Sequence, residues 1–343
     1  MAAPKPPTTI AILSIGDMGL GVAKLLRYHN YRVLTNLAGR SPATRIRAES
    51  ASIELVDTDE ELLSEAQYIL SIVPPRDARA TAERIVAASL KLAGKDSEAQ
   101  KQKEPVYYLD LNAISPSSVR AIGDRFQEQC GERIRFVDGG IIGGPPRLAN
   151  PNPSSSPSRE GGDETKPQWT VPSIPLSGPY SNLLNPTLAA TLKATSLSLE
   201  IGAASGLKCC FAALTKGTTA LAILSFSTAA RLGVLPALRS HLQTYSPRTK
   251  EQVEKSLVGM SPKAYRWVAE MREIGGCFGE EGGWDNVGEG EAGSVFQGIA
   301  DVYKFVADGT VLGEERVEKR VRGLTAEEVA EAVKEGLEKV PVD

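Results

Sequence analysis

Cysteine and histidine are scarce in this chain. Its 343 residues include four cysteines and two histidines. The cysteines stand at positions 130, 209, 210 and 277, and this spacing matches neither a disulfide framework nor a metal site. The sequence therefore predicts a reduced, cytoplasmic protein with no bound metal ion.

Excess charge of one sign and long apolar runs are also missing. The net charge is −3, with 41% hydrophobic and 24% charged residues, which is typical of a globular protein and does not suit binding of nucleic acid. Residues 1–7 lack the apolar stretch of a signal peptide. The longest weakly polar run, residues 217–230, is shorter than the ~20 residues of a membrane span and predicts a buried helix. We therefore expect neither a membrane nor a nucleic acid as partner.

A glycine-rich turn follows an apolar strand near the start of the chain. The strand, residues 10–13, leads through Ser14 to Gly16 and Gly19, where a helix is expected. Gly16 lets the backbone approach a phosphate, Gly19 lets the helix pack closely on its strand, and the first N–H groups of the helix face the anion. Ser14 stands where the usual fingerprint has another glycine. The segment predicts a dinucleotide pyrophosphate site made by Ser14, Ile15, Gly16, Asp17, Met18 and Gly19.

The end of the second strand predicts which dinucleotide binds. A site for NAD normally has Asp or Glu there, to accept a hydrogen bond from the adenosine ribose. No acidic residue occurs between Thr35 and Ala48, and Arg40, Ser41 and Arg45 stand there instead. Because guanidinium and hydroxyl groups suit a 2′-phosphate, we expect NADP as the cofactor, with NAD as the other candidate. In the alternative interpretation, Ser41 is a helix N-cap followed by a solvated basic face.

Strand and helix patterns alternate through the first half of the chain. Strand-like runs occur at 8–14, 32–36, 53–56, 68–73, 106–111 and 134–138, with helical patterns at 19–29, 41–51, 59–66, 76–92 and 116–129. This alternation predicts an α/β fold with a Rossmann-type, doubly wound parallel sheet. Ser115 is the expected cap of the last of these helices. Residues 95–104 and 150–168 interrupt the pattern and are expected to be a charged loop and a disordered insert.

The second half is predicted to be helical almost to its end. A long helix of small residues begins near Gly202, and Thr325 is the expected N-cap of a terminal amphipathic helix. We therefore predict an NAD(P)-binding domain over residues 1–200 and an all-α domain for substrate binding and dimerisation over residues 201–343. Because the helix from Gly206 to Ala230 is apolar around most of its circumference, we expect a homodimer formed mainly by this half.

The two histidines are poorly placed for proton transfer. Neither His29, at the end of a helix, nor His241, in a polar segment, follows a predicted strand. Lys208 lies near the start of the small-residue helix, and burial lowers the pKa of an ammonium toward the range useful for acid–base work. We expect Lys208 to be the catalytic acid and base. The alternative is a lysine that only extends its ammonium into a crevice for solvation.

Other predicted strands end in segments that suit a substrate pocket. Asn112 follows the fifth strand, and Gly143 and Gly144 follow the sixth, at the carboxyl edge where such sheets bind ligands. We expect the Asn112 amide and the backbone N–H groups near the two glycines to bind a small-molecule substrate, with turn formation alone as the alternative. Val73 and Pro74, after the fourth strand, are expected to form the wall beside the nicotinamide.

Together these segments resemble the β-hydroxyacid dehydrogenase superfamily, which includes 3-hydroxyisobutyrate and 6-phosphogluconate dehydrogenases. The similar parts are Gly16–Gly19, Asp110–Pro116, Asp138–Gly144 and Lys208, which matches the acid–base lysine of the family. Residues 262–271 resemble the small C-terminal helical domain of NAD-binding phosphogluconate dehydrogenases. The resemblance implies hydride transfer between a secondary alcohol, such as a hydroxy acid, and its carbonyl, with a nicotinamide cofactor.

The chain departs from the family where the substrate is held. The family has an asparagine four residues after the lysine, a serine in the glycine segment and serine-threonine after the fifth strand. This chain has Ala212, Ile142 and Asn112-Ala113 at the corresponding places. Lys216, and Tyr265 or Arg266 from the second domain, are candidate substitutes. Two rival functions therefore stay open: reduction of an imine or another carbonyl, and NADP(H) sensing without turnover.

Overall fold

The computed structural model describes residues 8–94, 104–149, 168–287, 294–315 and 320–341. The two predicted interruptions, 95–104 and 150–168, lie outside the described residues except for Glu104 and Gln168. The chain forms two compact units, Met1–Lys208 and Cys209–Asp343. The sequence predicts the division eight residues earlier, between 200 and 201.

The first unit is built on strands that alternate with helices. Its strands are β1 (Thr9–Leu13), β2 (Arg32–Asn36), β3 (Glu54–Val56), β4 (Tyr68–Ser71), β5 (Val106–Asp110), β6 (Ile134–Gly139), β7 (Arg147–Leu148), β8 (Trp169–Thr170), β9 (Ile174–Ser177) and β10 (Ala194–Ser198). Its helices are α1 (Asp17–Tyr28), α2 (Pro42–Ser50), α3 (Asp59–Glu65), α4 (Ala78–Ala93), α5 (Pro116–Cys130) and α6 (Pro186–Leu192). The six predicted strands and five predicted helices are present, with ends within two residues of those predicted. Ser115 caps α5 as predicted, because its Oγ accepts a hydrogen bond from Ser118 N at 3.2 Å.

Eight of these strands form one sheet, in the order β10-β9-β6-β5-β4-β1-β2-β3. The six strands from β6 to β3 are parallel, which confirms the predicted doubly wound sheet. Along β1, Ile10 and Ile12 enter one apolar core while Ala11 and Leu13 enter the other. Because neighbouring side chains of a strand point to opposite faces, such an unbroken apolar run is typical of a sheet covered on both sides.

β9 and β10 extend the sheet beyond what the sequence predicts. β9 pairs with β6 in the antiparallel direction, and β10 is parallel to β9. Pro175 interrupts the hydrogen-bond donors of β9, and the side chains of β10 are exposed or half-buried. Neither strand therefore has a clear hydrophobic pattern. β7 and β8 form a separate two-stranded antiparallel sheet.

The second unit contains no strand among its described residues and consists of helices packed around one apolar core. After α7 (Ala203–Arg231), which begins in the first unit, come α8 (Leu235–Tyr245), α9 (Pro247–Met260), α10 (Ala264–Gly276), α11 (Val295–Gly309) and α12 (Ala326–Leu337). The core includes Phe226, Leu257, Met271, Tyr303 and Val333. Thr325 caps α12 as predicted, by accepting a hydrogen bond from Glu328 N at 3.2 Å.

α7 is longer than the weakly polar run 217–230, whose short length predicts no membrane span. It has 29 residues, its most apolar 18-residue window has a mean hydropathy of 1.5, and 39% of that window is buried inside the protein. By length and composition alone the helix can cross a membrane, so the prediction from residues 217–230 that it is too short for a span is wrong. One such helix is weak evidence for a span, because core helices of other proteins pass the same test. Ala220, Ile223 and Phe226 of α7 contribute to the core of the second unit.

Candidate cofactor and active site

Four candidate segments follow neighbouring strands at one edge of the sheet. β1, β4, β5 and β6 are parallel and adjacent in that order, so their carboxyl ends share an edge. The Gly16 turn follows β1, Val73 and Pro74 follow β4, Asn112 follows β5, and residues 140–144 follow β6. Strands about 4.8 Å apart spread these segments over about 14 Å. Doubly wound sheets bind ligands at this edge.

The turn after β1 has the geometry of an anion site. Gly16 is the N-cap of α1, and no side chain caps the helix there. A Cβ on Gly16 would meet no atom within 4 Å, whereas a Cβ on Gly19 would collide with the backbone oxygen of Ser14. Gly16 therefore leaves open space at the helix N-terminus, and Gly19 is required for close packing of helix on strand. This open, uncapped N-terminus fits a dinucleotide pyrophosphate.

Ser14 adopts a backbone conformation that usually requires glycine. Its φ is 84°, and a left-handed conformation costs an L-residue about 1–2 kcal/mol. The chain thus keeps the backbone shape of the fingerprint without its first glycine. The other predicted members of the turn differ in exposure: Ile15 is buried, Met18 is half-buried and Asp17 is exposed.

The segment after β2 combines a helix cap with exposed cations. Ser41 Oγ accepts a hydrogen bond from Thr44 N at 3.4 Å and lies 3.1 Å from Thr44 Oγ1. Ser41 is therefore the N-cap of α2, as the alternative interpretation predicts. The side chains of Arg40 and Arg45 are exposed. The arginines are thus accessible to an anion, whereas Ser41 Oγ already accepts a hydrogen bond from the first turn of α2.

An acidic residue from outside this segment lies at the end of β2. Asp59 Oδ1 accepts a hydrogen bond from Nδ2 of Asn36, the last residue of β2, at 2.8 Å. Arg84 donates to both Asp59 carboxylate oxygens, at 2.8 and 3.0 Å. The guanidinium neutralises the carboxylate, so its repulsion toward an anion at this edge is reduced. Asp59 begins a helix 23 residues after Asn36, and no local sequence signal links the two.

The buried side chain of Asn112 joins the ends of β4 and β5. Its Oδ1 accepts a hydrogen bond from Val73 N at 2.7 Å, and its Nδ2 donates to Ser71 Oγ at 3.0 Å. Asn112 therefore holds the wall at Val73 in place, and its predicted contact with substrate stays a prediction. Pro74 is half-buried and leads into a short 3-10 turn, Pro75–Asp77, before α4.

Lys208 reaches the end of β6. Its Nζ donates a hydrogen bond to the backbone oxygen of Ile141 at 2.6 Å. A Cβ on Gly140 would lie 2.9 Å from the Cβ of Lys208, which is closer than side chains approach. The bare backbone at Gly140 therefore lets the lysine lie against the strand end. This contact puts its ammonium at the edge that also carries the Gly16 turn.

The two predicted glycines after β6 have different structural roles. Gly143 has a φ of 127°, and a Cβ there would lie 3.1 Å from Pro172 Cβ, so this position needs glycine. A Cβ on Gly144 would meet no atom within 4 Å. Between β6 and these glycines, Ile142 pairs through its backbone with Ser173. The segment therefore presents backbone groups at the exposed edge, and their contact with substrate stays a prediction.

Lys216 has an internal partner in the second unit. Its ammonium forms an ion pair with Glu270, and it lies 5.2 Å from the centroid of the Trp267 ring. The side chains of Lys216 and Glu270 are only 12% and 13% exposed. Because separating a buried ion pair is costly, these contacts give Lys216 a structural role within the second unit. Its predicted contact with substrate stays a prediction.

Two fully buried aspartates lie side by side near the same edge. Asp110 of β5 pairs in register with Asp138 of β6, and Ser71 and Ser177 continue this row on β4 and β9. Asp110 Oδ1 accepts a hydrogen bond from Asn112 N at 3.1 Å, whereas its Oδ2 has no hydrogen-bond partner within the part of the chain that the structure describes. Burial raises the pKa of Asp110 to about 7, the hydrogen bond from Asn112 opposes this, and the charge of Asp138 adds to it.

The structure thus brings most of the predicted site residues to one edge of the first unit. The Gly16 turn, Val73 and Asn112 follow β1, β4 and β5, and Arg40 follows β2. Lys208 belongs to α7 and reaches the same edge through its hydrogen bond to Ile141, after β6. Across residues 8–94, 104–149, 168–287, 294–315 and 320–341, no group of three or more His, Cys, Asp or Glu side chains is arranged to hold a metal ion.

Comparison with known proteins agrees with this architecture at the level of the fold. A conserved protein of unknown function, described as structurally similar to 3-hydroxyacid dehydrogenases, is 22% identical with a TM-score of 0.54, over 87% of this chain and 99% of that one. The 3-hydroxyisobutyrate dehydrogenase of Mycobacterium tuberculosis is 15% identical with a TM-score of 0.58, over 88% and 94%. That of Salmonella typhimurium is 13% identical with a TM-score of 0.58, over 94% and 99%. The chain therefore has the fold of the 3-hydroxyacid dehydrogenases, as the resemblance in sequence predicts.

Sequence comparison assigns a family to part of the second unit. Residues 229–306 match the family described as a domain of unknown function, DUF1932. This match covers less than half of the chain. It includes residues 262–271, which resemble the C-terminal helical domain of NAD-binding phosphogluconate dehydrogenases. No curated protein matches the chain in sequence.

Proposed function

We propose that the chain is an NADP-dependent oxidoreductase that transfers hydride between a secondary alcohol, such as a hydroxy acid, and its carbonyl. The observation that carries this proposal is the position of Lys208 Nζ beside Ile141 O, at the same sheet edge as the uncapped N-terminus of α1. The nicotinamide supplies the hydride acceptor or donor when it is bound. The uncharged amine of Lys208 takes the hydroxyl proton of the alcohol during oxidation, and the resulting ammonium returns a proton during reduction.

The remaining residues bind and orient. The backbone at Gly16 and the first turn of α1 hold the pyrophosphate, and Arg40 binds the 2′-phosphate of the adenosine with Arg45 adding positive potential. Val73, which Asn112 fixes through a 2.7 Å hydrogen bond, forms the wall beside the nicotinamide. The neutralisation of Asp59 by Arg84 supports a phosphate at the end of β2, because an unpaired carboxylate would repel it.

Preference for NADPH over NADH is the first test of this proposal. A charge-assisted hydrogen bond is worth about 1.5–3 kcal/mol, so Arg40→Ala is expected to weaken NADPH binding about tenfold or more and to leave NADH binding nearly unchanged. Both cofactors are titrated by fluorescence. Arg125→Ala removes an exposed arginine that pairs with Glu83 and serves as the matched control. Equal losses for both cofactors, or tighter binding of NADH by the wild type, would refute the assignment.

We also propose that the protein is a cytoplasmic homodimer acting on a small molecule, without a nucleic acid or a membrane as partner. The low net charge and the scarce cysteines support the location and the lack of nucleic acid. Support for the dimer comes from α7, where Phe211, Leu214, Leu221 and Leu224 are exposed at intervals of three, seven and three residues. Such spacing aligns apolar side chains along one face of a helix, and a second copy of the chain would cover them.

A further inference from the structure

The N-terminus of α7 is fastened to the end of β6 through one buried carboxylate. Asp138 Oδ2 accepts hydrogen bonds from Gly202 N at 2.9 Å and Ser205 N at 3.3 Å, and Asp138 Oδ1 accepts one from Ser205 Oγ at 2.6 Å. Ser177 Oγ donates to Asp138 Oδ2 at 2.7 Å and accepts a hydrogen bond from Ala204 N at 3.0 Å. Asp138 and its neighbour Ser177 thus receive three backbone N–H groups of the first helical turn.

The same strand end also receives the side chain one turn further along α7. Lys208 is three residues after Ser205, so the two lie on the same side of the helix. Its Nζ donates to Ile141 O, three residues after Asp138. Its aliphatic part packs against Gly140, where a side chain would not fit. The end of β6 therefore contacts α7 at two places. Asp138 binds the start of the helix, and the backbone oxygen of Ile141 binds the ammonium of Lys208.

We propose that Asp138 is a positioning residue that fixes the ammonium of Lys208 at the sheet edge by holding the first turn of α7. This inference rests on the proposed role of Lys208 in proton transfer. A carboxylate suits the task, because it accepts several N–H groups at once and its charge is favourable at a helix N-terminus. An asparagine of the same shape has one acceptor oxygen in place of two, so it cannot accept all four of these hydrogen bonds.

Asp110 provides a matched control on the adjacent strand. It is also fully buried, and it pairs in register with Asp138. Its hydrogen bond comes from Asn112 N, with no hydrogen bond to α7 among the described residues. Asp110→Asn and Asp138→Asn therefore make the same carboxyl-to-amide change in the same row of side chains. Only the second change loosens the start of α7.

The test follows the Lys208 ammonium directly. Lysines of the full-length protein are dimethylated with ¹³C-formaldehyde, and the NMR signal of Lys208 is identified by its absence in Lys208→Arg. Asp138→Asn is expected to move this signal and to shift its titration midpoint by at least about 0.5 pH unit, since the surroundings of the ammonium change. Asp110→Asn is expected to leave the signal close to its wild-type position. Turnover with NADPH is measured in parallel, and Asp138→Asn is expected to lower kcat at least tenfold with the cofactor KM within about twofold.

Other outcomes distinguish a folding defect from a loss of positioning, and failure of the positioning role from failure of the proposed function. If Asp138→Asn fails to fold by circular dichroism, Ser205→Ala removes only the Oδ1 contact and is expected to move the Lys208 signal in the same direction by a smaller amount. A folded variant with an unmoved Lys208 signal, or an equal shift in Asp110→Asn, overturns the positioning role. A moved signal with unchanged kcat supports the positioning of the ammonium and refutes its role in catalysis.

Discussion

Ser14 has a backbone conformation that is uncommon for a residue other than glycine. Its φ of 84° is the shape that a glycine normally provides at the first position of a dinucleotide turn. The close approach of Gly19 to the Ser14 oxygen shows why the shape is kept, because helix and strand meet there. The sequence alone presents Ser14 as a defect in the fingerprint, and only the dihedral angle shows that the turn is intact.

Replacing Ser14 with glycine is expected to stabilise the protein. Relief of the left-handed strain is worth about 1–2 kcal/mol, and the greater backbone entropy of unfolded glycine costs about 0.5–1 kcal/mol. Ser14→Gly should therefore raise the free energy of unfolding by up to about 1.5 kcal/mol, measured by guanidinium unfolding. Ser14→Ala keeps the strain and loses the hydroxyl, so it should bring no gain. An equal gain in both variants would contradict the role of backbone strain.

Asp110 is expected to make the stability of the protein depend on pH. Its pKa is raised to about 7 by burial, above the ordinary value of 3.8. Between these two values the folded state binds the proton more tightly than the unfolded state, so stability falls as pH rises from about 4 to about 7 and is then level with respect to this group. The loss is on the order of 4 kcal/mol.

The measurement compares Asp110→Asn with the wild type. Unfolding midpoints in guanidinium are taken from pH 4 to pH 8. Since the amide does not ionise, the stability of the variant relative to the wild type should increase over this interval and then stay constant. Parallel curves for the two proteins would show that Asp110 has the same pKa in the folded and unfolded states.

At the scale of elements, α7 both enters the core of the second unit and leaves an apolar stripe uncovered. Ala220, Ile223 and Phe226 are buried, whereas Leu214 and Leu221 are 75% and 63% exposed. The sequence predicts an apolar circumference for this helix and does not predict which part is covered, because coverage depends on residues far away in the chain. The same limit explains why β9 and β10 escape prediction, since their place in the sheet depends on pairing with β6.

The exposed stripe predicts a dimer that a single charge disrupts. The wild type is expected to sediment as a dimer at micromolar concentration, and Leu221→Glu as a monomer, because an unpaired carboxylate is costly to bury. Tyr245→Glu introduces the same charge at an exposed aromatic residue of α8 and should leave the dimer intact. A monomeric wild type, or an intact dimer in Leu221→Glu, would contradict the interface.

At the scale of the whole molecule, local patterns predicted the order of elements and distant contacts decided the details of the site. The alternating strands, the glycine turn and the helix cap at Ser115 depend on neighbours in sequence, and all are found. The neutralisation of Asp59 by Arg84 and the buried row of Asp110 and Asp138 depend on strands and helices brought together by folding. The ion pair between Lys216 and Glu270 also depends on folding, because the two residues are 54 positions apart and no local pattern predicts that they meet.

The kcat of Lys208→Met tests the central claim most directly. Hydroxy acids and carbonyl compounds are first screened with NADP⁺ or NADPH, with NADPH absorbance as the readout. Proton transfer by a positioned group contributes about 10²–10⁴-fold, so Lys208→Met should lower kcat at least ~100-fold while NADPH affinity and Tm stay near wild type. Lys24→Met, at an exposed lysine of α1, should keep wild-type kcat. A folded Lys208→Met protein that binds NADPH normally and retains more than about a tenth of wild-type kcat would contradict the assignment of Lys208 as the acid and base.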